Sequence, residues 1–133
     1  MTNCPFCDPA RGSVFWRGRL VLGLWDSFPV SPGHALLVTR RHVADWFSAS
    51  SDERRALIDD LEVARAVIQA GHSPDGFNIG INIGAAAGQT VPHLHVHLIP
   101  RYAGDVDDPR GGVRHVLPAL ANYLEDRSAR SEP

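Results

Sequence analysis

The sequence is short of the features that mark several large protein classes. It holds two cysteines in 133 residues, Cys4 and Cys7, too few and too close together for the disulfide framework of a secreted scaffold. No apolar run nears the roughly 20 residues that a membrane-spanning helix needs, and Met1 to Gly12 contains no apolar core of a signal peptide. Neither sign of charge dominates, since 13 basic against 15 acidic residues leave a formal net charge of −2. No polycationic surface is therefore available to hold nucleic acid by its backbone. Internal repeats and low-complexity linkers are missing as well. These absences leave one cytoplasmic domain over residues 1–133, with no membrane and no nucleic acid as partner. Its 44% apolar content is enough for a core, and residues 125–133 read as a polar tail that frays.

Leu20 to Trp25 and Ala35 to Thr39 are short apolar stretches bounded by turn residues, and the Ser27–Gly33 segment between them carries two prolines and a glycine. Strand, loop, strand follows. A helix is expected from about Asp52 to Ala70, opened by a capping box of Ser50 and Glu53. Leu57, Leu61, Ala64 and Ile68 form its apolar stripe, and Gly71 stands where a left-handed cap would end it. Phe77–Ile83 and Val91–Ile99 alternate apolar and polar residues, and read as an antiparallel hairpin around the small-residue loop Gly84–Gly88. Pro118 to Glu125 is expected to form a short closing helix. Strands on both sides of one long helix indicate an α+β domain with an antiparallel sheet.

The informative segment is Gly88-Gln89-Thr90-Val91-Pro92-His93-Leu94-His95-Val96-His97-Leu98-Ile99-Pro100-Arg101. A strand with period two puts His93, His95 and His97 on one face and Leu94, Val96 and Leu98 on the other. Three chemistries compete for such a row: hydrogen-bonded structural histidines, a three-histidine metal site, and nucleophilic catalysis by a neutral imidazole. The metal reading strains a flat strand, whose same-face Cα atoms lie about 6.5–7 Å apart. A neutral imidazole attacks phosphorus without prior activation, and a neighbour can handle the leaving group's proton. The third reading is favoured.

This run resembles the signature of the histidine triad (HIT) family. The likeness extends to Gly88-Gln89-Thr90, Pro100-Arg101, Asp26 with Pro29 and Pro32-Gly33-His34, and Arg40-Arg41-His42, so it covers about Cys4 to Arg114. The resemblance implies a HIT-like fold, a five-stranded antiparallel sheet with one main helix and a short C-terminal helix, and a homodimer. It implies a hydrolase or transferase acting on a small-molecule nucleotide, either a dinucleoside polyphosphate such as diadenosine tri- or tetraphosphate or an adenosine phosphoramidate. His95 would be the nucleophile and form a nucleotidyl-imidazole, and His97 would assist the leaving group. Gly88, Gln89, Thr90 and Asn82 would contact phosphate and Asp26 the ribose, while Phe6 and Leu24 would wall the base. Read from the residues alone, Asp26 could simply start a turn and Phe6 and Leu24 could be ordinary core. The alternative from another class is a nucleotide-binding regulatory module with little turnover.

One C-x-x-C is half a zinc site, a redox pair or two idle thiols. Cys4 and Cys7 resemble the N-terminal pair of bacterial HIT proteins, which implies a structural zinc completed by His42 and His93. No metal would then be required for the chemical step. Asp107 to Arg114 resembles a segment of the same branch, its arginines meeting either outer phosphates or solvent. His34, His72 and His115 are taken as surface or structural histidines. Base, leaving group and acceptor are left open.

Overall fold

Short apolar runs punctuated by turn residues give a five-stranded antiparallel sheet in the computed structural model, which describes residues 3–124. The strands are β1 (Val14–Arg17), β2 (Val21–Trp25), β3 (Ala35–Thr39), β4 (Gly76–Gly80) and β5 (His95–Arg101). Their spatial order is β1-β2-β3-β5-β4. Helix α1 (Ser51–Gly71) joins β3 to β4 and packs on one face of the sheet. These elements form a first compact unit ending at Arg101, and a second begins at Tyr102.

Strand register sorts the side chains into two layers. Leu37 lies opposite Val96 and Ala35 opposite Leu98, and these four join Val21, Leu57, Ala64 and Ile68 in the main core under α1. The alternate positions Leu22, Leu24, Leu36 and Val38 make a smaller apolar cluster with Phe6 and Val14. His95 pairs with Val38 and His97 with Leu36, so both histidines stand on this second face.

Helix α1 begins as its sequence requires. Ser50 Oγ accepts from the Glu53 amide at 3.0 Å, and the Glu53 carboxylate accepts from the Ser50 amide at 2.9 Å. Leu57, Ala64 and Ile68 are fully buried, each large side chain stabilising the packing by about 1.5–3 kcal/mol. Glu53 also takes two hydrogen bonds from the Arg41 guanidinium, at 2.7 and 3.1 Å. This pairing, opposed by burial and aided by the Ser50 amide, brings its carboxyl down to about 2. A folded value below the ordinary one means stability that is present above about pH 4.5 and lost as pH falls toward 2. Glu53→Ala should therefore lower unfolding stability at pH 7 by about 2 kcal/mol. Urea melts at pH 7 and pH 3 should show the gap between wild type and variant narrowing in acid.

The structure departs from the sequence reading in four places. Gly71 ends α1 inside the helix, and the cap is His72 in extended conformation, φ −142°. Pro74, which biases Ser73 toward extended backbone, stops the helix without a left-handed residue. The alternation in Phe77–Ile83 outruns β4, which ends at Gly80 opposite His97. β5 starts at His95, not Val91. Pro92 has no N–H to give a ladder, the His93 amide turns back to Val91 O, and the Leu94 amide goes to Val43 O. His93 thus lies before the strand, and only His95 and His97 share its face.

The fourth departure is in the second unit, described by itself. The closing helix is a 3₁₀ turn, Pro118–Leu120. Arg114 donates to the Leu120 and Ala121 carbonyls, both at 2.9 Å, and the Leu124 amide goes to the Asn122 side chain. The acceptors that would carry the helix onward are thereby diverted. Only glycine fits at 111, where φ is +94° and a Cβ would collide with the Ala121 carbonyl. Glu125 and the expected tail lie outside the described residues.

Candidate active site

The second sheet face opens into a cavity of about 390 Å³, lined by His95, His97, Asp26, Asn82, Gly88 and Thr90 on its polar side, a volume suited to a small molecule. Leu24 and Leu36, with Pro5 and Phe6 from the N-terminal segment, supply its apolar wall. Of the residues expected to act in catalysis or to hold substrate, all but Gln89 border this space. Gln89 spends its side chain on the loop, accepting from the Gly84 amide and donating to the Ala44 and Val91 carbonyls.

Hydrogen bonds fix which nitrogen of each ring carries the proton. His95 Nδ1 lies 2.9 Å from the His93 carbonyl, which can only accept. His95 therefore holds its proton at Nδ1 and keeps a bare lone pair on Nε2. The Phe6 and His97 ring centroids lie 4.8 and 5.1 Å from that of His95.

His97 is set by a residue the sequence reading passed over. His34 is 3% exposed, borders the cavity, and accepts the Val30 amide on Nδ1 at 3.1 Å. Its proton must then sit on Nε2, which is 2.9 Å from His97 Nδ1 and 3.3 Å from Asp26 Oδ2. His97 accepts on Nδ1 and presents Nε2–H. Asp26 in turn accepts the Phe28 amide at 2.8 Å. Asp26, His34 and His97 offer ligand atoms close enough for one cation. The Val30 N–H argues against it, because a neutral imidazole that accepts at Nδ1 has no lone pair left at Nε2. The trio is a hydrogen-bond relay. Burial lowers the basicity of His34, with Asp26 opposing. Burial, reinforced by His95 and His34, lowers His97 to about 4. Gly33 places His34: its φ is +88°, and a Cβ there would press on His72 and Ile68. The Pro-Gly-His spacing just before β3 is the signal that could have found it.

His93 is built the opposite way. Its Nε2–H donates to the Thr39 carbonyl at 2.7 Å, leaving Nδ1 bare, 3.3 Å from Cys4 Sγ and 3.5 Å from Cys7 Sγ. His42 Nδ1 lies 3.1 Å from Cys7 Sγ. Bonds of about 2.3 Å to sulfur and 2.0–2.1 Å to nitrogen around a tetrahedral ion give donor separations close to these. The four residues fit zinc, and the second-sphere bond to Thr39 orients the His93 ring for it. The expected ligand set is thus brought together, away from His95 and His97. Burial and the neighbouring His42 and His95 keep His93 neutral, opposed by its bond to Thr39. In the second unit, Arg110 pairs with Asp108 and Arg114 with backbone carbonyls, so both arginines of the Asp107–Arg114 segment are engaged there.

An antiparallel α+β sheet carrying a bare imidazole nitrogen and a second neutral imidazole in an apolar-walled cavity defines a small-molecule site equipped for histidine chemistry. The family described as HIT domain matches residues 10–104, and the chain belongs to that family, with a Cys-x-x-Cys at its N-terminus. It is 36% identical over 107 residues to the AP-4-A phosphorylase of Mycobacterium tuberculosis, covering 80% of this chain and 55% of the relative. It is 36% identical over 100 residues to the asymmetrical bis(5'-nucleosyl)-tetraphosphatase of Schizosaccharomyces pombe, covering 75% and 55%. The chain thus spans about half the length of these curated relatives. A crystal structure of a HIT family protein from Bacillus anthracis superposes with TM-score 0.71 at 34% identity, covering 77% of this chain and 75% of that one. A hypothetical histidine triad nucleotide-binding protein of Sulfolobus tokodaii gives 0.71 at 31%, covering 79% and 73%. No helix among the described residues is long and apolar enough to cross a membrane.

Proposed function

We propose that this protein cleaves dinucleoside polyphosphates or adenosine phosphoramidates at the α-phosphate, through a covalent nucleotidyl-His95. The observation that carries the reading is the His95 tautomer. With Nδ1–H committed to the His93 carbonyl, the lone pair on Nε2 is available to phosphorus in the cavity. In the first step Nε2 bonds to Pα as the bond from Pα to the bridging oxygen or nitrogen breaks, the electron pair leaving with that atom. His97 Nε2–H donates to the departing atom. In the second, water or phosphate bonds to Pα and the imidazole leaves, so one difficult displacement becomes two easier ones.

The remaining residues hold the substrate in this reading. Asp26 receives the ribose hydroxyls, Phe6 and Leu24 flank the base, and Asn82, Gly88 and Thr90 meet phosphate oxygens, with Gln89 holding their loop. Zinc at Cys4, Cys7, His42 and His93 would fix the N-terminal segment and take no part in either displacement. The names of the mycobacterial and fission-yeast relatives support dinucleoside polyphosphates as the substrate class. A homodimer and a reducing, cytoplasmic compartment belong to the same reading, the dimer supported by the edge position of β4.

The test is product analysis with diadenosine tetraphosphate and an adenosine phosphoramidate, in ¹⁸O-labelled water with and without phosphate. Hydrolysis should put label into AMP, and phosphorolysis should yield ADP instead. Consumption of neither substrate, with AMP still bound, would replace this reading with a binding module.

A further inference from the structure

The segment from Asn3 to Gly12 is fastened to the first unit at few points. Among the described residues, its hydrogen-bonding contacts beyond itself and adjacent Ser13 are those of the Cys4 and Cys7 sulfurs with His42 and His93. Yet this segment supplies Pro5, Phe6, Pro9 and Ala10 to the cavity that holds His95 and His97. Phe6 sits between the two cysteines, its ring 4.8 Å from His95 and edge-on to His93 at 5.9 Å. The main core under α1 contains no residue of the segment, and its apolar contribution is Phe6, partly buried against the smaller cluster of Leu22, Leu24, Leu36 and Val38.

We propose that zinc at Cys4, Cys7, His42 and His93 sets how tightly the cavity holds its nucleotide, by fixing Phe6 against His95. The proposal rests on the nucleotide reading above and adds a role for the metal in binding. Without the ion, the thiols have only weak sulfur contacts to the two imidazoles, and the wall carried by residues 5–10 is held by the packing of Phe6 on the smaller cluster alone, which leaves it freer to sample other positions. A ligand would then have to order that wall itself, which weakens binding without altering the displacement at phosphorus. With the ion, the four ligands clamp the loop from both ends of Pro5-Phe6, and the ring is in place before the ligand arrives. Metal removal should therefore raise KM and leave kcat within about twofold, the signature of lost uniform binding.

The experiment uses the full chain, zinc-loaded and chelator-stripped, with AMP as the probe. Titration calorimetry should show AMP binding about tenfold weaker after stripping, the scale of one lost base–aromatic contact. Hydrogen exchange should show the Asp8 amide, bonded to Cys4 O, losing protection while α1 keeps its own. Phe6→Ala should retain one zinc per chain, bind AMP about as weakly as the stripped wild type, and lose nothing more on stripping. If the stripped protein unfolds, the zinc-loaded Phe6→Ala arm decides. AMP affinity that is equal with and without zinc overturns the proposal and leaves the nucleotide reading intact. Unchanged affinity in Phe6→Ala, or a chain that takes up no zinc, also overturns it. Failure of both forms to bind AMP removes the nucleotide reading along with it.

Discussion

His95→Gly should reduce turnover of diadenosine tetraphosphate by a factor on the order of 10⁴ or more, the scale of removing a nucleophile from a site that otherwise stays built. The substitution keeps the His97–His34 relay and removes the ring whose Nε2 lone pair the His93 carbonyl leaves free. Rapid quenching of wild type during turnover should trap a nucleotidyl adduct that is acid-labile and base-stable, as a phosphorus–nitrogen bond is. The chain contains no lysine and its arginines stay protonated, so such an adduct on a side chain points to one of the seven histidines, and peptide mapping should place it on His95. In His95→Gly the adduct should vanish, and added imidazole should restore part of the rate by occupying the vacated space. Urea melts provide the control for folding, since His95 is 8% exposed within β5. Turnover that survives the substitution would remove His95 from the nucleophile's place.

Much of this site was legible because period and punctuation act locally. The β5 alternation puts His95 and His97 on one face whatever the neighbours do, and the Ser50–Glu53 box marks the start of α1 by chemistry within one turn. What escaped depends on contacts across the chain. β1 has no clean alternation, and a register shift between Val14 and Trp16 breaks its ladder with β2. His93 leaves the strand because Val43, distant in sequence, takes the Leu94 amide. His34 looks like a surface histidine until β3 and β5 align and carry it to His97, 63 positions away. Gln89, expected at phosphate, turns its side-chain amide to three backbone groups, the Gly84 amide and the Ala44 and Val91 carbonyls. Periodicity names the face, and pairing decides which residues reach it.

The same relay makes the second large effect depend on the leaving group. His97 Nε2–H faces the cavity because Val30, through His34, holds the proton off Nδ1. With His97 lowered to about 4 in the free protein, the ring is a neutral hydrogen-bond donor at pH 7. Bound phosphate charge favours its protonated form and draws it toward acid catalysis. A polyphosphate, whose terminal group ionises near pH 6 or so, can depart as the anion with a hydrogen bond alone. An amine must take a full proton. His97→Gln keeps a donor and cannot protonate, so it should stay within about tenfold of wild type on diadenosine tetraphosphate and lose roughly 10²–10⁴ on an adenosine phosphoramidate. Equal losses on both would sink the assignment of His97 to the leaving group. Stability supplies an independent check. The folded value lies below the ordinary 6.5, so the unfolded chain takes up a proton that the native chain refuses until about pH 4. Stability is therefore whole above about 6.5 and falls as pH drops through that window, by up to about 3 kcal/mol for this residue. His97→Gln should flatten the fall between pH 7 and 4.5 in urea midpoints, leaving the slope from His34 and His93, whose burial acts in the same direction.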